Sequence, residues 1–245
     1  MSGVTTVLFD YGHTLMDFAR PEELLLDAYH RINQRLEQEL ETAVPAAADL
    51  LSSVSVRVDE KIGDSYQGGA EQEVDIAALY DQALGALGMR LRPETVAWVV
   101  DEEQRAWLNG ITASPHAHTV LDGLRSRGLR LGIVSNAAFP AHSMRAQLAS
   151  LGLTPYFGAT VYSSEIGVRK PNRAIYEECV NRLGGANGGA VYFVGDRLRE
   201  DVMGPRRLGF EAVLTHEFRR EDPRPWRIEV PVITSLDQLP ALIPG

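Results

Sequence analysis

Apolar residues follow two different patterns along the chain. Short, continuous apolar runs, which suit strands buried on both faces of a sheet, occupy residues 4–9, 129–134, 159–162, 190–194, 210–214 and, more weakly, 230–233. From residue 129 onward these runs alternate with helical patterns at residues 140–150, 171–183 and 199–208, the first two of which begin with proline. The alternation predicts an α/β fold with a doubly wound, Rossmann-like parallel sheet.

The chain between residues 20 and 108 has the second pattern. It contains no convincing strand, but amphipathic helical patterns occur at residues 21–41, 44–61, 73–87 and 93–108. The polar, glycine-containing residues 62–70 predict a turn between two halves of this region. We therefore predict an α/β core domain formed by residues 1–17 and 113–245, and an inserted α-helical bundle, the cap domain, formed by residues 18–112.

Composition narrows the class of protein and its partners. The 245 residues carry a net charge of -9, which argues against a nucleic acid or an anionic membrane as partner. A single cysteine, Cys179, together with the lack of a secretory pattern or a long apolar run, predicts a cytoplasmic protein without disulfides or membrane spans. A monomer and a homodimer are both compatible with these numbers.

Carboxylates follow two of the predicted strands. Asp10 comes directly after the first strand, Asp196 comes after the strand at residues 190–194, and Asp201 follows five residues later. Because parallel strands end at one edge of a sheet, these side chains are expected to share a site. Either motif alone is equally typical of a helix cap or turn, but both together favour oxygen ligands for Mg²⁺.

Two further segments offer groups that bind anions. Ser135 and Asn136 follow the strand at residues 129–134 and provide a hydroxyl group and backbone N–H groups. Lys170, which precedes Pro171, is one of only two lysines among the 24 basic residues. A compact ammonium group in a chain that otherwise uses arginine favours a specific role at this position. These segments together predict a phosphate-binding site.

These four segments, in this order, resemble the motifs of the haloacid dehalogenase-like (HAD) hydrolase superfamily, in the branch whose helical cap is inserted between the first and second motifs. The resemblance covers essentially the whole chain. Residues 9–15 are similar to the nucleophile motif, Ser135 to the hydroxyl motif, Lys170 to the lysine motif, and Asp196 with Asp201 to the acidic motif. The resemblance implies a phosphatase of small phosphorylated metabolites.

The resemblance also implies catalytic roles. Asp10 would attack phosphorus and form an aspartyl-phosphate, which water then hydrolyses. Ser135, Asn136 and Lys170 would hold the oxygens of the phosphoryl group during transfer. A cap that opens and closes over the site would control the access of water.

The cofactor implied by the resemblance is Mg²⁺. It would be bound by Asp10, Asp196 and the backbone carbonyl of Gly12, with Asp201 supporting these ligands. Phosphatases of this family usually have a second aspartate, which exchanges protons with the leaving group and with water, where this chain has Gly12. The glycine carbonyl can still bind a metal ion, but the usual proton carrier is missing.

Gly12 leaves several explanations open. The substrate can have a leaving group of low pKa, such as an acyl phosphate; His13 can replace the acid and base, since imidazole titrates near neutral pH; or the protein can be a weak or non-catalytic phosphate-binding relative. A 2-haloacid dehalogenase-type hydrolase is a further alternative, because such relatives also lack the second aspartate. They need no metal, however, whereas this chain keeps the acidic motif of Asp196 and Asp201.

The remaining candidates concern the cap and its surroundings. Phosphonoacetaldehyde hydrolases, also related, use a Schiff-base lysine of the cap, which here would have to be Lys61; its acidic neighbours favour a surface position instead. Phe18, Arg20 and Tyr66 are candidates for contact with the rest of the substrate. Arg197 could pair with a substrate anion or with a nearby carboxylate, and the sequence does not decide between them.

Overall fold

The computed structural model describes residues 3–40 and 43–244. Its strands are β1 (Val4–Phe9), β2 (Met16–Phe18), β3 (Ile111–Ala113), β4 (Arg130–Ser135), β5 (Ala159–Tyr162), β6 (Ala190–Gly195), β7 (Glu211–Thr215) and β8 (Val232–Ile233). Six of them form one sheet in the order β5-β4-β1-β6-β7-β8, with every neighbouring pair parallel. The predicted doubly wound α/β fold is therefore confirmed.

Both faces of the sheet are covered. On β1, Val7 and Phe9 belong to one hydrophobic cluster, whereas Leu8 belongs to the cluster on the opposite face, as the alternation of side chains along a strand requires. All three side chains are inaccessible to solvent. Because β1 is a central strand, Asp10, the next residue, lies in the middle of the carboxyl edge of the sheet.

The chain between β2 and β3 is helical, as predicted. It forms α1 (Glu22–Glu39), α2 (Ala47–Leu50), α3 (Val56–Gln67), α4 (Ile76–Ala86) and α5 (Pro93–Trp107), and a π-helical turn at Leu51–Ser55 joins α2 to α3. Apolar side chains of these helices form a separate hydrophobic cluster, to which Ala138 also contributes. The predicted end of the first helix, Glu41, lies outside the described residues; α1 itself ends at Glu39, before the extended Leu40.

The turn predicted at residues 62–70 is wrong in its first part, because α3 continues to Gln67. Ile62 packs against the hydrophobic cluster of the helical region, and this contact stabilises the helix beyond the predicted end. Gly63 lies within this helix and does not end it. Packing therefore outweighs the turn-forming composition of this segment.

The remaining helices flank the six-stranded sheet. They are α6 (Ala117–Ser126), α7 (Ala141–Ser150), α8 (Ser163–Ile166), α9 (Arg173–Arg182), α10 (Gly204–Arg206) and α11 (Leu239–Leu242). The helix predicted from residue 171 begins later, because the Asn172 side chain accepts a hydrogen bond from the Ala174 N–H at 3.0 Å and so caps α9. Pro140 likewise precedes α7 rather than opening it. Within the described ranges, no helix is both long enough and apolar enough to cross a membrane.

The helix predicted at residues 199–208 is instead a π-helical turn, Leu198–Met203, followed by the short α10. The phenol of Tyr176 on α9 donates a hydrogen bond to the carbonyl of Glu200, which removes that carbonyl from a regular helical pattern. Gly204 allows this approach, since a β-carbon there would lie 3.0 Å from the ring atom Cζ of Tyr176. The π-helical turn carries Asp201 and so belongs to the site described below.

β2 and β3 form a separate antiparallel pair through which the chain enters and leaves the helical region. Met16 lies opposite Ala113, and Phe18 lies opposite Ile111. Neither strand was predicted, because each has only three residues and the alternation is too short to recognise. The predicted boundaries at residues 17/18 and 112/113 fall within this pair, and we propose that it is the junction between core and cap.

Candidate active site

Asp10 occupies the carboxyl end of β1, between the ends of β4 and β6. Its backbone N–H donates a hydrogen bond to the carbonyl of Val194 at 2.9 Å, which extends the β1–β6 pairing to this residue. The residue is 8% exposed. In doubly wound sheets ligands bind at this edge, where the strand order reverses, so the Asp10 carboxylate stands at the expected position of an active site.

Lys170 bridges two carboxylates of the site. Its Nζ lies 2.6 Å from Asp10 Oδ1 and 2.8 Å from Asp201 Oδ1. Burial acts to lower the pKa of Lys170, but the charges of Asp10 and Asp201 outweigh burial, and its pKa lies above the ordinary lysine value. Lys170 is therefore a fixed cation beside Asp10.

Three buried carboxylates form an acidic cluster that could hold a metal ion. Asp10, Asp196 and Asp201 each have a carboxylate oxygen within 4.8 Å of the others. Burial, and then the charges of Asp10 and Asp201, raises the pKa of Asp196 to about 8. Burial also raises the pKa of Asp201 to about 6, against the opposing charge of Lys170. The carboxylates thus repel one another, and a cation among them would be stabilising.

The backbone after β6 holds Asp201 in this cluster. The Arg197 N–H donates a hydrogen bond to Asp201 Oδ2 at 2.9 Å. Gly195, the last residue of β6, makes room for the contact, because a β-carbon at this position would lie 2.5 Å from Cβ of Asp201. The glycine before Asp196 is therefore explained by the close approach of Asp201.

Arg219 is a site residue that sequence reasoning missed. Its Nη2 lies 2.5 Å from Asp196 Oδ2, an ion pair in which neither atom has a hydrogen-bond partner of suitable geometry among the described residues. Arg219 follows β7, and β7 is the neighbour of β6 in the sheet, so the loop after β7 lies beside Asp196. Arg219 could have been identified if β7 had been known to lie next to β6 in the sheet, but the sequence does not show the order of the strands.

The two residues after the predicted strand at 129–134 have different surroundings. Ser135 ends β4, is buried, and lines the cavity above Asp10. Asn136, predicted as a phosphate contact, uses its side chain on the backbone of Lys170: Oδ1 accepts from the Lys170 N–H at 2.7 Å, and Nδ2 donates to the Lys170 carbonyl at 3.2 Å. The Asn136 amide thus positions Lys170.

The loop after Asp10 gives His13 an unusual setting. His13 has a φ of 58°, in the left-handed region, which histidine adopts more readily than most residues other than glycine. Its Nδ1 lies 3.0 Å from Asp17 Oδ1, and its Nε2 forms no hydrogen bond with the described part of the chain. Asp17, which sequence reasoning also missed, therefore orients the imidazole ring at the cavity wall.

Phe18 occupies the space beside Gly12. A β-carbon added to Gly12 would lie 3.3 Å from Phe18 Cε1, which is closer than ordinary van der Waals contact. The Phe18 ring also stacks on the His13 imidazole, with centroids 4.5 Å apart and an angle of 31° between the rings. The Phe18 ring therefore occupies the space into which a longer side chain at position 12 would project.

A cavity of about 420 Å³ lies between the sheet edge and the helical region. The sheet side contributes polar groups, among them Asp10, Ser135, Lys170 and Asp196. The opposite side is largely apolar and includes Phe18, Ile62, Tyr66 and Trp107. Such a division, with polar groups converging at one wall of an apolar pocket, is typical of small-molecule sites.

The other sequence candidates are distributed unevenly around this cavity. Phe18 and Tyr66 line it, whereas Arg20 instead pairs with Asp59, with 2.5 Å between Nη1 and Oδ2. Lys61 is exposed on α3, in agreement with the surface position predicted for it. Arg197 lines the cavity, and its guanidinium forms no ion pair with any carboxylate of residues 3–40 and 43–244, which leaves it available to an anion.

A buried ion pair joins the helical region to the loop that carries Lys170. Nη2 of Arg169 lies 2.5 Å from Oε1 of Glu73, and both side chains are almost completely buried. Arg169 also donates to Ser65 Oγ at 2.9 Å, and its guanidinium stacks over the ring of Tyr66 at 3.9 Å. The residue next to Lys170 is thus fixed by three side chains of the helical region.

The parallel sheet, with a buried pair of carboxylate and lysine at its carboxyl edge, is typical of α/β enzymes. A family model for haloacid dehalogenase-like hydrolase matches residues 4–209. The chain therefore belongs to the haloacid dehalogenase-like hydrolase family, as its motifs predicted.

Similar proteins have both phosphatase and dehalogenase names. The glyceraldehyde 3-phosphate phosphatase of Methanopyrus kandleri is 30% identical over 224 residues, covering 91% of this chain and 88% of that protein. The (S)-2-haloacid dehalogenase 2 of Pseudomonas sp. strain CBS-3 is 28% identical over 158 residues, covering 64% of this chain and 65% of that protein. The crystal structure of a HAD phosphatase from Thermococcus onnurineus has a TM-score of 0.64 at 21% identity, covering 98% of this chain and 97% of that one, and it shows the shared fold.

Proposed function

We propose that this protein is a Mg²⁺-dependent phosphatase that hydrolyses small phosphorylated metabolites through an aspartyl-phosphate on Asp10. The observation that carries the proposal is the contact of the Lys170 ammonium with Asp10 at 2.6 Å, beside an acidic cluster at the carboxyl edge of the sheet. A carboxylate oxygen next to a fixed cation can attack an anionic phosphoryl group that the cation holds. The name of the Methanopyrus kandleri relative supports the phosphatase class.

The acidic cluster fits a divalent cation. Its carboxylate oxygens are hard ligands, and burial together with the charges of Asp10 and Asp201 raises the pKa of Asp196, so a cation beside these carboxylates would be stabilising. Asp10, Asp196 and the carbonyl of Gly12 would hold Mg²⁺, with Asp201 supporting them. When bound, the ion supplies positive charge that polarises the phosphoryl oxygens.

Asp10 forms and then loses the covalent bond in the proposed reaction. One carboxylate oxygen of Asp10 attacks phosphorus, and the bond between phosphorus and the leaving oxygen breaks. Water then attacks the phosphorus of the aspartyl-phosphate, which releases phosphate and restores the carboxylate. Lys170 and the hydroxyl of Ser135 donate hydrogen bonds to the phosphoryl oxygens, where charge develops.

His13 supplies the proton that Gly12 cannot supply. The pairing of Nδ1 with Asp17 orients the ring and leaves Nε2 for proton exchange, and His13 and Asp10 line the same cavity. A histidine oriented by a carboxylate is a recurring arrangement in general acid–base catalysis. In the first step Nε2–H protonates the leaving oxygen, and in the second step Nε2 accepts a proton from the attacking water.

Replacement of the nucleophile tests the proposal directly. In Asp10→Asn we expect turnover of 4-nitrophenyl phosphate with Mg²⁺ to fall to background, because the attacking carboxylate oxygen is lost. Asp222→Asn, which changes an exposed carboxylate outside the cavity wall, is the matched control and should keep full activity. Retained turnover in Asp10→Asn would exclude the aspartyl-phosphate.

Two other measurements separate the alternative functions. A 2-haloacid dehalogenase-type enzyme would release halide from 2-chloropropionate without Mg²⁺, and a non-catalytic phosphate-binding relative would bind phosphate in calorimetry without turnover of any ester. The Pseudomonas relative motivates the first alternative, and Gly12 motivates the second. The acidic cluster favours the phosphatase, because displacement of halide requires no metal ion beside Asp10.

A further inference from the structure

The wall that α5 contributes to the cavity contains two N–H donors without an acceptor. Nε2 of Gln104 and Nε1 of Trp107 are buried atoms that form no hydrogen bond with the described residues. Both residues line the cavity above Asp10, and Gln104 is 3% exposed. Gln104 also borders a second cavity of about 150 Å³ between α5 and α7, whereas Trp107 lines only the larger of these two.

Packing alone does not explain the placement of these donors. They are three residues apart on one helix, so they lie on the same helical face. Burying an N–H group away from water without an acceptor is unfavourable, and folded proteins rarely leave such groups unpaired. Two of them side by side in the wall of a cavity are explained if a bound molecule supplies the acceptor.

The surroundings of the two donors are flat and apolar. The rings of Phe18 and Trp107 meet edge to face, with centroids 6.2 Å apart, and Phe18 is 44% exposed. Aromatic surfaces of this kind favour a planar group. The charged side chain that the described part of the helical region contributes to the wall, Asp59, is negative and already paired with Arg20. This part of the wall therefore offers no unpaired cation, among the described residues, to an anionic leaving group.

We propose that Gln104 and Trp107 select the substrate by its leaving group, which is uncharged, flat, and carries an acceptor oxygen of the carbonyl type. This inference rests on the proposed phosphatase function and specifies its substrate class. The phosphate lies at Ser135 and Lys170, and the acceptor oxygen receives hydrogen bonds from Gln104 Nε2 and Trp107 Nε1. Both residues determine specificity, and neither takes part in bond breaking.

A pair of matched phosphonates tests the inference without any dependence on leaving-group chemistry. 4-Acetylbenzylphosphonate and 4-isopropenylbenzylphosphonate have the same shape and differ by an oxygen atom in place of a CH₂ group. Their dissociation constants are measured by calorimetry on the full chain with Mg²⁺. We expect the acetyl compound to bind about tenfold more tightly, as two added hydrogen bonds to otherwise unpaired donors would give.

Three variants assign the preference to the proposed donors. Trp107→Phe removes the indole N–H and Gln104→Met replaces the amide by an unbranched apolar side chain, and each should reduce the preference for the acetyl compound by about threefold or more. The affinity for the isopropenyl compound should stay nearly constant. Trp98→Phe is the matched control: Trp98 is on the same helix, but its ring contacts Arg35 and is not part of the cavity wall.

The outcomes distinguish this inference from the proposed function. Equal affinity for the two phosphonates, or a preference that persists unchanged in both variants, overturns the inference, whereas Asp10-dependent turnover of 4-nitrophenyl phosphate would leave the phosphatase proposal standing. Failure of both phosphonates to bind, with turnover intact, also overturns it, because a flat group would then be excluded from the cavity. Should Gln104→Met unfold, Trp107→Phe alone still decides the result.

Discussion

Three nearby residues, His13, Asp17 and Phe18, are in contact with one another beside Gly12. Gly12 keeps only a backbone carbonyl, Phe18 fills the space beside it, and His13 stacks on Phe18 while Asp17 binds its Nδ1. The left-handed backbone at His13 allows this arrangement, because it turns the chain within the short loop between β1 and β2. In the proposed function, His13 performs the proton transfer for which this loop has no second aspartate.

The imidazole of His13 should matter most for poor leaving groups. In His13→Asn, which keeps a residue that tolerates the left-handed region, we expect kcat for an alkyl phosphate to fall about 100-fold. The fall for 4-nitrophenyl phosphate should be much smaller, since nitrophenolate leaves without a proton. Steady-state kinetics on both esters measures the difference. An equal loss on both would contradict a role of His13 as the acid.

Restoring a carboxylate at position 12 should require space. Gly12→Asp alone displaces the Phe18 ring, whereas Gly12→Asp combined with Phe18→Ala gives the new carboxylate room. We expect the double variant to hydrolyse alkyl phosphates on the order of 10-fold faster than Phe18→Ala alone, because general acid catalysis is regained. Rates on 4-nitrophenyl phosphate in the two variants should differ little. No gain on alkyl phosphates would show that proton transfer does not limit the rate.

The residues of the site were predictable to the extent that they follow strands. Asp10, Ser135 and Asp196 were found because each ends or follows an apolar run, and Lys170 because lysine is so rare in this chain. Asp17, Arg219 and Gln104 were not found, since their importance depends on which side chain they meet or fail to meet. Such pairings are made by tertiary structure, and no local pattern of sequence encodes them.

At the scale of elements, the segment before Lys170 is held by the buried pair of Arg169 and Glu73. In Arg169→Met the Glu73 carboxylate stays buried without its partner, and we expect a loss of about 3–5 kcal/mol in the free energy of unfolding. Urea unfolding followed by circular dichroism measures this loss. The exposed pair of Arg173 and Glu177 on α9 provides the control.

Arg173→Met should leave the free energy of unfolding nearly unchanged, because a solvated pair contributes little. The double variant Arg169→Met/Glu73→Gln should recover part of the lost stability, since the unpaired charge is removed. A loss in Arg169→Met no larger than in Arg173→Met would show that the buried pair does not hold the two regions together.

Elements with a long apolar pattern were predicted well, and short ones were not. The long strands and the helices of the inserted region follow from periodicity, but β2 and β3 have three residues each, and the π-helical turns have no recognised signal in sequence. The π-helical turn at Leu198–Met203 depends on a hydrogen bond from Tyr176, a residue on a different helix. The conformation of this turn therefore depends on a contact between elements and not on the local sequence pattern.

At the scale of the whole molecule, the net charge of -9 does not show that three carboxylates lie close together at the sheet edge. The acidic cluster should make stability depend on pH when no metal ion is present. The raised pKa values of Asp196 and Asp201 mean that the folded protein binds their protons more tightly than the unfolded chain does. The resulting stability is present below a pH of about 4 and is lost as pH rises to about 8.

Calorimetry in EDTA should therefore give a Tm at pH 8 that is at least about 5 °C below that at pH 5. Added Mg²⁺ should raise the Tm more at pH 8 than at pH 5, because deprotonated carboxylates bind the ion. Asp196→Asn should reduce both effects. A Tm in EDTA that is the same at pH 5 and pH 8 would contradict the mutual repulsion of the carboxylates.

The antiparallel pair of β2 and β3 has a consequence for how the molecule can be altered. Phe18 and Ile111 lie opposite each other in this pair. The segment between them therefore begins and ends at neighbouring positions. A two-residue hairpin turn could close that gap. The order of the six parallel strands would be unaffected, since β1 and β4 already pair directly. The helical segment can in this sense be exchanged as a unit, provided that the replacement again supplies partners for Arg169, which holds the segment before Lys170.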